Sequence, residues 1–259
     1  MLTVVEQKPR KNLLLAALPE AEFQRIAPHL ELKKMVLGEL LYGAGDTLSH
    51  LYFPTSCVIS LHYEMANGAS SEFGAVGNEG AVGLSLFLAD ATMSSAALVQ
   101  TAGHAYRLEL AVLQQEFSRA GATLQLLLRY TQAHLSQVSQ QAICKSHHLI
   151  DQKLCSWLLQ SLDRCPDTEI TITQDLIADA LGVRREGINE ATMKLQLLGF
   201  ISCRRGHIAV LNRAGLESLT CECYGVVKKE FSRLLSNPPH RQPVGALARP
   251  QRPLRHYAF

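Results

Sequence analysis

The sequence predicts an α+β fold with an N-terminal antiparallel β-roll or jelly roll, a long helix, and a C-terminal helix-turn-helix followed by a β-hairpin. Three features lead to this prediction. Glycines punctuate short strand-like runs over about residues 31 to 110. A proline-free stretch with apolar residues at helical spacing follows. Further on, a glycine separates two short amphipathic segments, and a strand-turn-strand pattern comes next.

The first part consists of β-forming runs between turn residues. "HLYFPTSCVISLHYE" and "SSAALVQTAGHAYRLEL" are rich in β-formers and partly alternate between apolar and polar residues. Short strands separated by turns about every 8–12 residues are typical of a small antiparallel barrel or sandwich. Before them, "NLLLAALPEAEFQRIAPHL" predicts a small helical segment. We therefore place a β-roll domain at residues 12–118.

The second part is a long helix. Residues 109 to 162 contain no proline and a single glycine, Gly121. Six residues with polar flanks recur at alternating steps of four and three, which is the repeat of a two-helix seam. The alternative is a helix that packs only on its own domain. We predict a dimerisation helix at residues 119–147, with a seam made of Leu124, Leu128, Thr131, Leu135, Val138 and Ala142.

The stretch "TQDLIADALGVRREGINEATMKLQLLGFI", residues 173–201, predicts a helix-turn-helix within a third domain at residues 148–235. Thr173 can cap a first helix, and Gly182 can end that helix with a positive φ. Ala178 is small enough for the two helices to approach closely, and Ile188 can fill the angle between them. An unrelated helical hairpin is the alternative.

The outward residues of the second helix are candidates for reading DNA, because the N-terminal part of such a helix enters the major groove. Arg185 suits a guanine edge, Asn189 an adenine, and Glu186 a cytosine amine. "FISCRRGHIAV" then predicts a hairpin wing whose tip contacts phosphates. A merely solvated charged surface is the alternative. The predicted DNA-contacting residues are Thr173, Gln174, Arg184, Arg185, Glu186, Asn189, Glu190, Lys194, Arg204, Arg205 and His207.

Charge is divided unevenly along the chain. Residues 1–144 carry nine Lys+Arg against twelve Asp+Glu, a balance of −3, whereas residues 145–259 carry 16 against 11, a balance of +5. A basic second half favours a polyanionic partner, although ordinary surface variation is the alternative. After residue 235, five prolines and four arginines predict a disordered basic tail at residues 236–259.

The seven cysteines are interpreted as buried thiols, since they form no CxxC pair. Cys221 and Cys223 form a C-x-C, but as metal ligands they would need two more donors, and His207 is the only histidine reasonably near. We therefore expect no metal site. An N-terminal iron–sulfur cluster is not expected either, because the first cysteine is Cys57.

The sequence lacks the motifs that are typical of several other classes of protein. The sequence contains no GxSxG, HExxH or P-loop motif, which argues against an enzyme. No apolar run approaches the roughly 18 residues that a membrane span needs, and no secretory signal is evident, so we expect a cytoplasmic protein.

This order of a glycine-punctuated β-roll, a long helix and a winged helix-turn-helix resembles the Crp/Fnr family of bacterial transcription regulators over roughly residues 12–235. The resemblance implies a homodimer that reads a palindromic DNA site with a recognition helix at residues 184–198. By position, Arg185 and Glu186 match the family's base-reading arginine and glutamate. Glu190 stands where a third reader is often an arginine, and Arg184 stands where a serine cap is common. A different half-site is therefore expected.

The same resemblance implies a cyclic-nucleotide-binding-like roll. In the family's nucleotide binders, a glutamate holds the ribose and an arginine holds the cyclic phosphate. In "GNEGAVGLSLFLADATMSSAALVQ" these positions fall near Leu84 and Met93, and Glu79 comes too early. Burying a phosphate without a cation is costly, so binding of cyclic AMP is not expected. The candidate pocket for an unidentified effector comprises Glu79, Gly80, Gly83, Leu84, Met93, Ser94 and Ser95; a roll that only scaffolds the dimer is the alternative.

The leading hypothesis is a sequence-specific DNA-binding transcription regulator that acts as a homodimer. A ligand-sensing regulatory module that acts on a protein partner is the alternative. Activation of transcription would also require contact with RNA polymerase, and the sequence does not show a surface for it.

Overall fold

A computed structural model of the chain describes residues 8–68, 70–88, 92–164, 169–204 and 206–235. It begins with a 3-10 turn at Pro9–Lys11, helices α1 (Leu13–Ala17) and α2 (Glu20–Ile26), and a second 3-10 turn at Ala27–His29. Asn12 caps α1, because its side-chain oxygen accepts from the first N–H groups of that helix. Its amide also donates to the carbonyls of Pro54 and Gly80, at 2.9 and 2.8 Å. This buried residue fastens the N-terminal helices to the strands that follow.

Seven strands form the predicted antiparallel β-roll, as two sheets around one core. One sheet has the order β1-β7-β3 and the other β2-β6-β4-β5, and all their pairings are antiparallel. A short helix, α3 (Ser85–Leu88), lies between β5 and β6. The strands are β1 (Glu31–Met35), β2 (Leu40–Tyr42), β3 (His50–Pro54), β4 (Val58–Glu64), β5 (Ser70–Val76), β6 (Ala96–Thr101) and β7 (Gly103–Glu109).

Two helices lead out of the roll: α4 (Leu110–Ser118) and the long α5 (Ala122–His147). The Glu22 carboxylate accepts from the backbone N–H groups of Ala122 and Thr123, at 2.9 and 2.6 Å. A negative charge at a helix N-terminus is favourable, so Glu22 sets where α5 begins. One face of α5 packs on the roll, where the buried Tyr130 donates from its hydroxyl to the carbonyl of Ala81 at 3.0 Å.

The C-terminal part is a winged helix-turn-helix around a second apolar core, as predicted. Its three-stranded sheet has the order β8-β10-β9. Leu154, Ile177, Ile188 and Leu195 are all fully buried in this core. The elements are α6 (Ile150–Arg164), β8 (Glu169–Thr171), α7 (Gln174–Leu181), α8 (Arg185–Leu197), β9 (Ile201–Arg204), β10 (His207–Val210), α9 (Arg213–Leu219) and α10 (Glu222–Leu235).

Two further predictions concerned the basic tail and membrane-spanning segments. The basic tail predicted at residues 236–259 lies outside the described residues. Within the described ranges, no helix is long and apolar enough to cross a bilayer.

The helical domain packs directly on the roll. Arg164 at the end of α6 donates from Nε to the Glu79 carboxylate at 2.7 Å, and its side chain is only 8% exposed. Lys145 of α5 donates from Nζ to the carbonyl of Glu72 at 2.5 Å. Helix α10 returns to the same region, where the ring of Phe231 lies 6.3 Å from that of Tyr130.

A buried carboxyl group lies at this junction. The side chain of Glu72 on β5 faces Lys145 and Arg164 from the helices and accepts from the Gln100 amide at 3.3 Å. Burial raises the pKa of Glu72 to about 7, although both cations and the hydrogen bond favour the ionised form. Desolvation of the carboxylate therefore outweighs its attraction to the two cations.

The raised pKa of Glu72 predicts a pH-dependent stability. In the unfolded chain this carboxyl group titrates near 4.5. Because the folded protein binds the proton more tightly, the free energy of unfolding should fall as pH rises from about 4.5 through about 7, by around 3 kcal/mol. We expect Glu72→Gln to remove this fall, measured by urea denaturation at several pH values. The exposed Glu64→Gln serves as control, and a fall that persists unchanged in Glu72→Gln would contradict the assignment.

Candidate nucleic-acid interface

Helices α7 and α8 begin and end as their sequence predicts. The Thr173 hydroxyl accepts from the N–H of Leu176 at 3.3 Å, which caps α7. Gly182 ends the helix with φ +64° and ψ +40°, the left-handed conformation that glycine adopts without steric cost. Ala178 and Ile188 are buried between the two helices, as expected from their sizes. The helix-turn-helix geometry is therefore encoded locally.

A close contact under α8 was not predicted from the sequence. A Cβ atom on Gly187 would lie 2.7 Å from Cδ1 of Ile150 at the start of α6. Gly187 therefore lets α6 pack against the inner side of α8 and support it from below. This contact joins residues 37 positions apart in the sequence, so local spacing does not reveal it.

The first half of α8 presents a charged, exposed surface. It consists of Arg184, Arg185, Glu186, Asn189 and Glu190, which are all exposed. Arg184 occupies the N-cap position, and its side chain makes no capping hydrogen bond with the described residues. The loss of a capping oxygen at this position was predicted. We name these five residues the recognition surface.

Arg185 is held only loosely on this surface. Its Nε lies 3.4 Å from Oδ1 of Asp175 on α7, and the two side chains are 65% and 62% exposed. Exposed pairs of this kind contribute about 0–1 kcal/mol, because water screens them. The guanidinium group can therefore exchange Asp175 for another hydrogen-bond acceptor at little cost.

Two other predicted contact residues have partners inside the protein. Lys194 pairs with Asp151 of α6, and the hydrogen bond from this ammonium group raises the pKa of Lys194. His207 on β10 lies with Nδ1 3.2 Å from the Thr171 hydroxyl on β8. Gln174, the first residue of α7, is half-buried. At the tip of the wing, Arg204 is exposed, and Arg205 lies outside the described residues.

The seven residues predicted to form an effector pocket make contacts in different parts of the structure. Glu79 bonds Arg164, and a Cβ on Gly80 would lie 2.3 Å from the Tyr130 hydroxyl. Glu79 also lines a cavity of about 250 Å³ between the roll and helices α6 and α10. These two residues therefore dock the helices against the roll.

The remaining five residues lie within the roll itself. Gly83 has φ +109°, and a Cβ atom there would lie 2.8 Å from Cδ2 of Leu48. The neighbouring Leu84 is half-buried. Met93 is buried in the core, where its sulfur accepts from the Ser85 hydroxyl at 2.8 Å. Ser94 and Ser95 bond the hydroxyls of Tyr63 and Tyr42. Their polar groups are thus used for internal contacts.

A second cavity, of about 310 Å³, lies between the outer face of the four-stranded sheet and α7. His62, Glu72 and Gln100 line it from the roll, and Leu176 and Asp179 line it from α7. None of the seven predicted pocket residues is among the described residues that line this cavity.

The prediction that His207 is the only histidine reasonably near Cys221 and Cys223 was wrong. The fold brings them to Cys144 and His148, and the four potential ligand atoms lie within 4.8 Å of one another. The two new members come from the end of α5, about 75 residues earlier in the chain. Spacing along the sequence cannot reveal such a meeting.

Comparison with known proteins agrees with this architecture. Residues 152–219 match the Crp-like helix-turn-helix domain. No curated protein gives a significant match.

Solved structures of regulators share the fold at low identity. FixK2 from Bradyrhizobium japonicum is 14% identical, with a TM-score of 0.62 and coverage of 74% of this chain and 98% of that one. The c-di-GMP responsive global regulator CLP from Xanthomonas campestris is 18% identical, with a TM-score of 0.59 and coverage of 74% and 99%. A CRP-family regulator from Thermus thermophilus is 19% identical, with a TM-score of 0.59 and coverage of 72% and 95%. The chain therefore combines a Crp-like helix-turn-helix with the fold of solved Crp/Fnr transcription regulators.

The role of Gly182 in the turn between α7 and α8 can be tested by substituting two glycines, one in the turn and one in a helix. Gly182→Ala forces a Cβ into the left-handed region, although space is available, since the nearest side-chain atom is 3.9 Å away. We expect a loss of about 1–2 kcal/mol in the free energy of unfolding. Gly225→Ala, inside α10 with open space around it, should instead gain about 0.5–1 kcal/mol. Equal effects of the two substitutions, measured by chemical denaturation, would contradict this explanation of the turn.

Proposed function

We propose that this chain, which carries a Crp-like helix-turn-helix in a Crp/Fnr-type fold, is a homodimeric transcription regulator that reads a palindromic DNA site. The recognition surface on α8 is the observation that carries the proposal. In helix-turn-helix proteins the N-terminal residues of the second helix contact base edges. Here these residues are exposed, while the residues behind them form the core of the domain.

The residue types of the recognition surface suit base reading. Arg185 can bind the O6 and N7 atoms of guanine in bidentate fashion once it leaves Asp175. Asn189 and Glu186 have the groups that pair with adenine and with the amine of cytosine. Arg204 at the wing carries charge suited to phosphate. Lys194 contributes less in this scheme, because Asp151 already neutralises it.

The outer face of α5 supports the dimer. All six residues of the predicted seam are half-buried or exposed in the single chain. Leu128 and Leu135 are 45% and 62% exposed, which is a large exposure for leucines arranged in one row. The opposite face of α5, with Leu127 and Tyr130, already packs on the roll. A second α5 would cover the exposed row, and two α8 helices would then meet successive turns of the major groove.

Effector control of the roll is also part of the proposal. The cavity of about 310 Å³ supports it, because a ligand there would contact both the roll and α7. The residues at the expected nucleotide-binding positions argue against a cyclic phosphate, since Met93 is packed into the apolar core.

The first experiment is a selection from random duplex DNA on the purified full chain, without added ligand. Enrichment of a palindrome with half-sites one helical turn apart is the expected result. If enrichment requires a cell-metabolite extract, an effector is needed for binding. Failure under both conditions would contradict DNA reading and favour the alternative of a module acting on a protein partner.

Arg185→Ala should weaken binding to the selected palindrome by about 1–3 kcal/mol per lost bidentate contact, and should relax the preference at one position of each half-site. Arg119→Ala, a similarly exposed arginine between α4 and α5, is the matched control and should leave affinity unchanged. Binding is measured by fluorescence anisotropy at fixed salt. Equal affinity of Arg185→Ala and the parent would exclude the proposed reading role.

Leu135→Arg should convert the dimer to a monomer, because it places a charge in the middle of the seam on each chain. The parent side chain is 62% exposed, so the single chain should still fold. Leu32→Arg, at a 48% exposed position on β1, is the control and should remain dimeric. Sedimentation velocity distinguishes the two states. A Leu135→Arg protein that still sediments as a dimer would place the interface elsewhere.

A further inference from the structure

Four potential metal ligands meet where α5 ends and α10 begins. Cys144 lies in the last turn of α5, and His148 is the residue that caps it. Cys221 directly precedes α10, and Cys223 lies in its first turn. All three cysteines are buried, and the histidine is half-buried. We name these four residues the Cys3His cluster.

The distances within the Cys3His cluster suit one small ion. The sulfurs of Cys144 and Cys221 are 3.6 Å apart, and the sulfur of Cys223 lies 3.4 Å from Nδ1 of His148. All four ligand atoms lie within 4.8 Å of one another. Donors placed tetrahedrally around zinc, with Zn–S bonds of about 2.3 Å, are separated by roughly 3.7 Å. The cluster therefore needs only small side-chain adjustments to enclose a zinc ion.

We propose that Cys144, His148, Cys221 and Cys223 form a structural zinc site that joins the end of α5 to the start of α10. Three thiolates and one imidazole are one of the closed ligand sets of structural zinc. An iron–sulfur cluster distributes its protein ligands over at least two iron atoms, so some of these ligands must lie farther apart than around a single ion. Four ligand atoms this close together favour a single ion.

The residues around the cluster are arranged as they are around metal-bound histidines. Nε2 of His148, the ring nitrogen that faces away from Cys223, lies 3.3 Å from Oε1 of Glu222. A carboxylate at this position fixes the tautomer and orientation of a zinc-binding imidazole. The Gln140 amide donates to the Cys223 sulfur at 3.1 Å, which stabilises negative charge on that sulfur. These contacts are a second observation, separate from the meeting of the ligands.

The charges around the site also agree with zinc. A divalent ion with three thiolates and a neutral imidazole leaves one net negative charge, and Lys145 lies close enough to Cys144 to interact with that charge. Because zinc binds cysteine as the thiolate, occupation of the site releases the thiol protons of its three cysteines.

The experiment uses the full chain, purified under reducing conditions from cells supplied with zinc. We expect one zinc per chain by elemental analysis. Anaerobic titration of the metal-free protein with Co²⁺ should give thiolate-to-metal charge transfer and visible bands of a tetrahedral site, saturating at one equivalent. Cys221→Ser and Cys223→Ser should lose both the metal and the spectrum. Cys203→Ser, at a half-buried position on the wing, is the matched control and should keep both.

A further variant separates metal binding from folding. Glu222→Gln keeps all four ligands and should lower zinc affinity about 10-fold or more, because it alters the partner of His148. Circular dichroism should show that this variant remains folded.

Several results would overturn the proposal. These are the absence of zinc and of a cobalt spectrum in the parent protein, an unchanged spectrum in Cys221→Ser, bound iron with inorganic sulfide, or a Cys144–Cys221 disulfide in protein kept anaerobic. None of these measurements depends on DNA binding, so failure of this proposal and failure of the proposed function are distinguishable.

Discussion

The arrangement of the two halves depends on one buried charge pair, between Glu79 of the roll and Arg164 at the end of α6. A guanidinium group that is nearly removed from water is strongly destabilising unless a carboxylate compensates it. The backbone around Glu79 is shaped for this contact. A Cβ on Gly77 would lie 2.5 Å from Cβ of Arg164, and one on Gly80 would collide with Tyr130. The glycines of "GNEG" thus allow two helices to approach the roll, which gives them a role in packing.

Sequence reasoning succeeded where the structure is determined locally. Thr173, Gly182, Ala178 and Ile188 act within a few residues of their positions, so their types and spacing were sufficient to place α7 and α8. Strand β8 was not predicted, because three residues carry too little pattern to separate a strand from a loop.

The contacts that escaped prediction all join distant parts of the chain. Glu79 was assigned to an effector pocket because its segment resembles a nucleotide-binding one, and nothing near it in the sequence indicates Arg164, 85 residues later. The Cys3His cluster was missed for the same reason. The sequence shows the C-x-C pair directly. Cys144 and His148, however, lie at the end of α5, and the pattern of that helix was interpreted only as an apolar packing repeat.

The junction between α5 and α6 consists of only His148 and Leu149. A linker this short allows the helical domain little movement relative to α5, in contrast to domains that are joined by long flexible segments. In the proposed dimer, binding of one half-site would therefore present the second domain at a fixed place and at a high effective concentration. The gain in affinity from binding both half-sites is therefore largest at one half-site spacing and is lost at other spacings. The short junction would thus select DNA sites by the spacing of their half-sites, independently of the bases that α8 contacts.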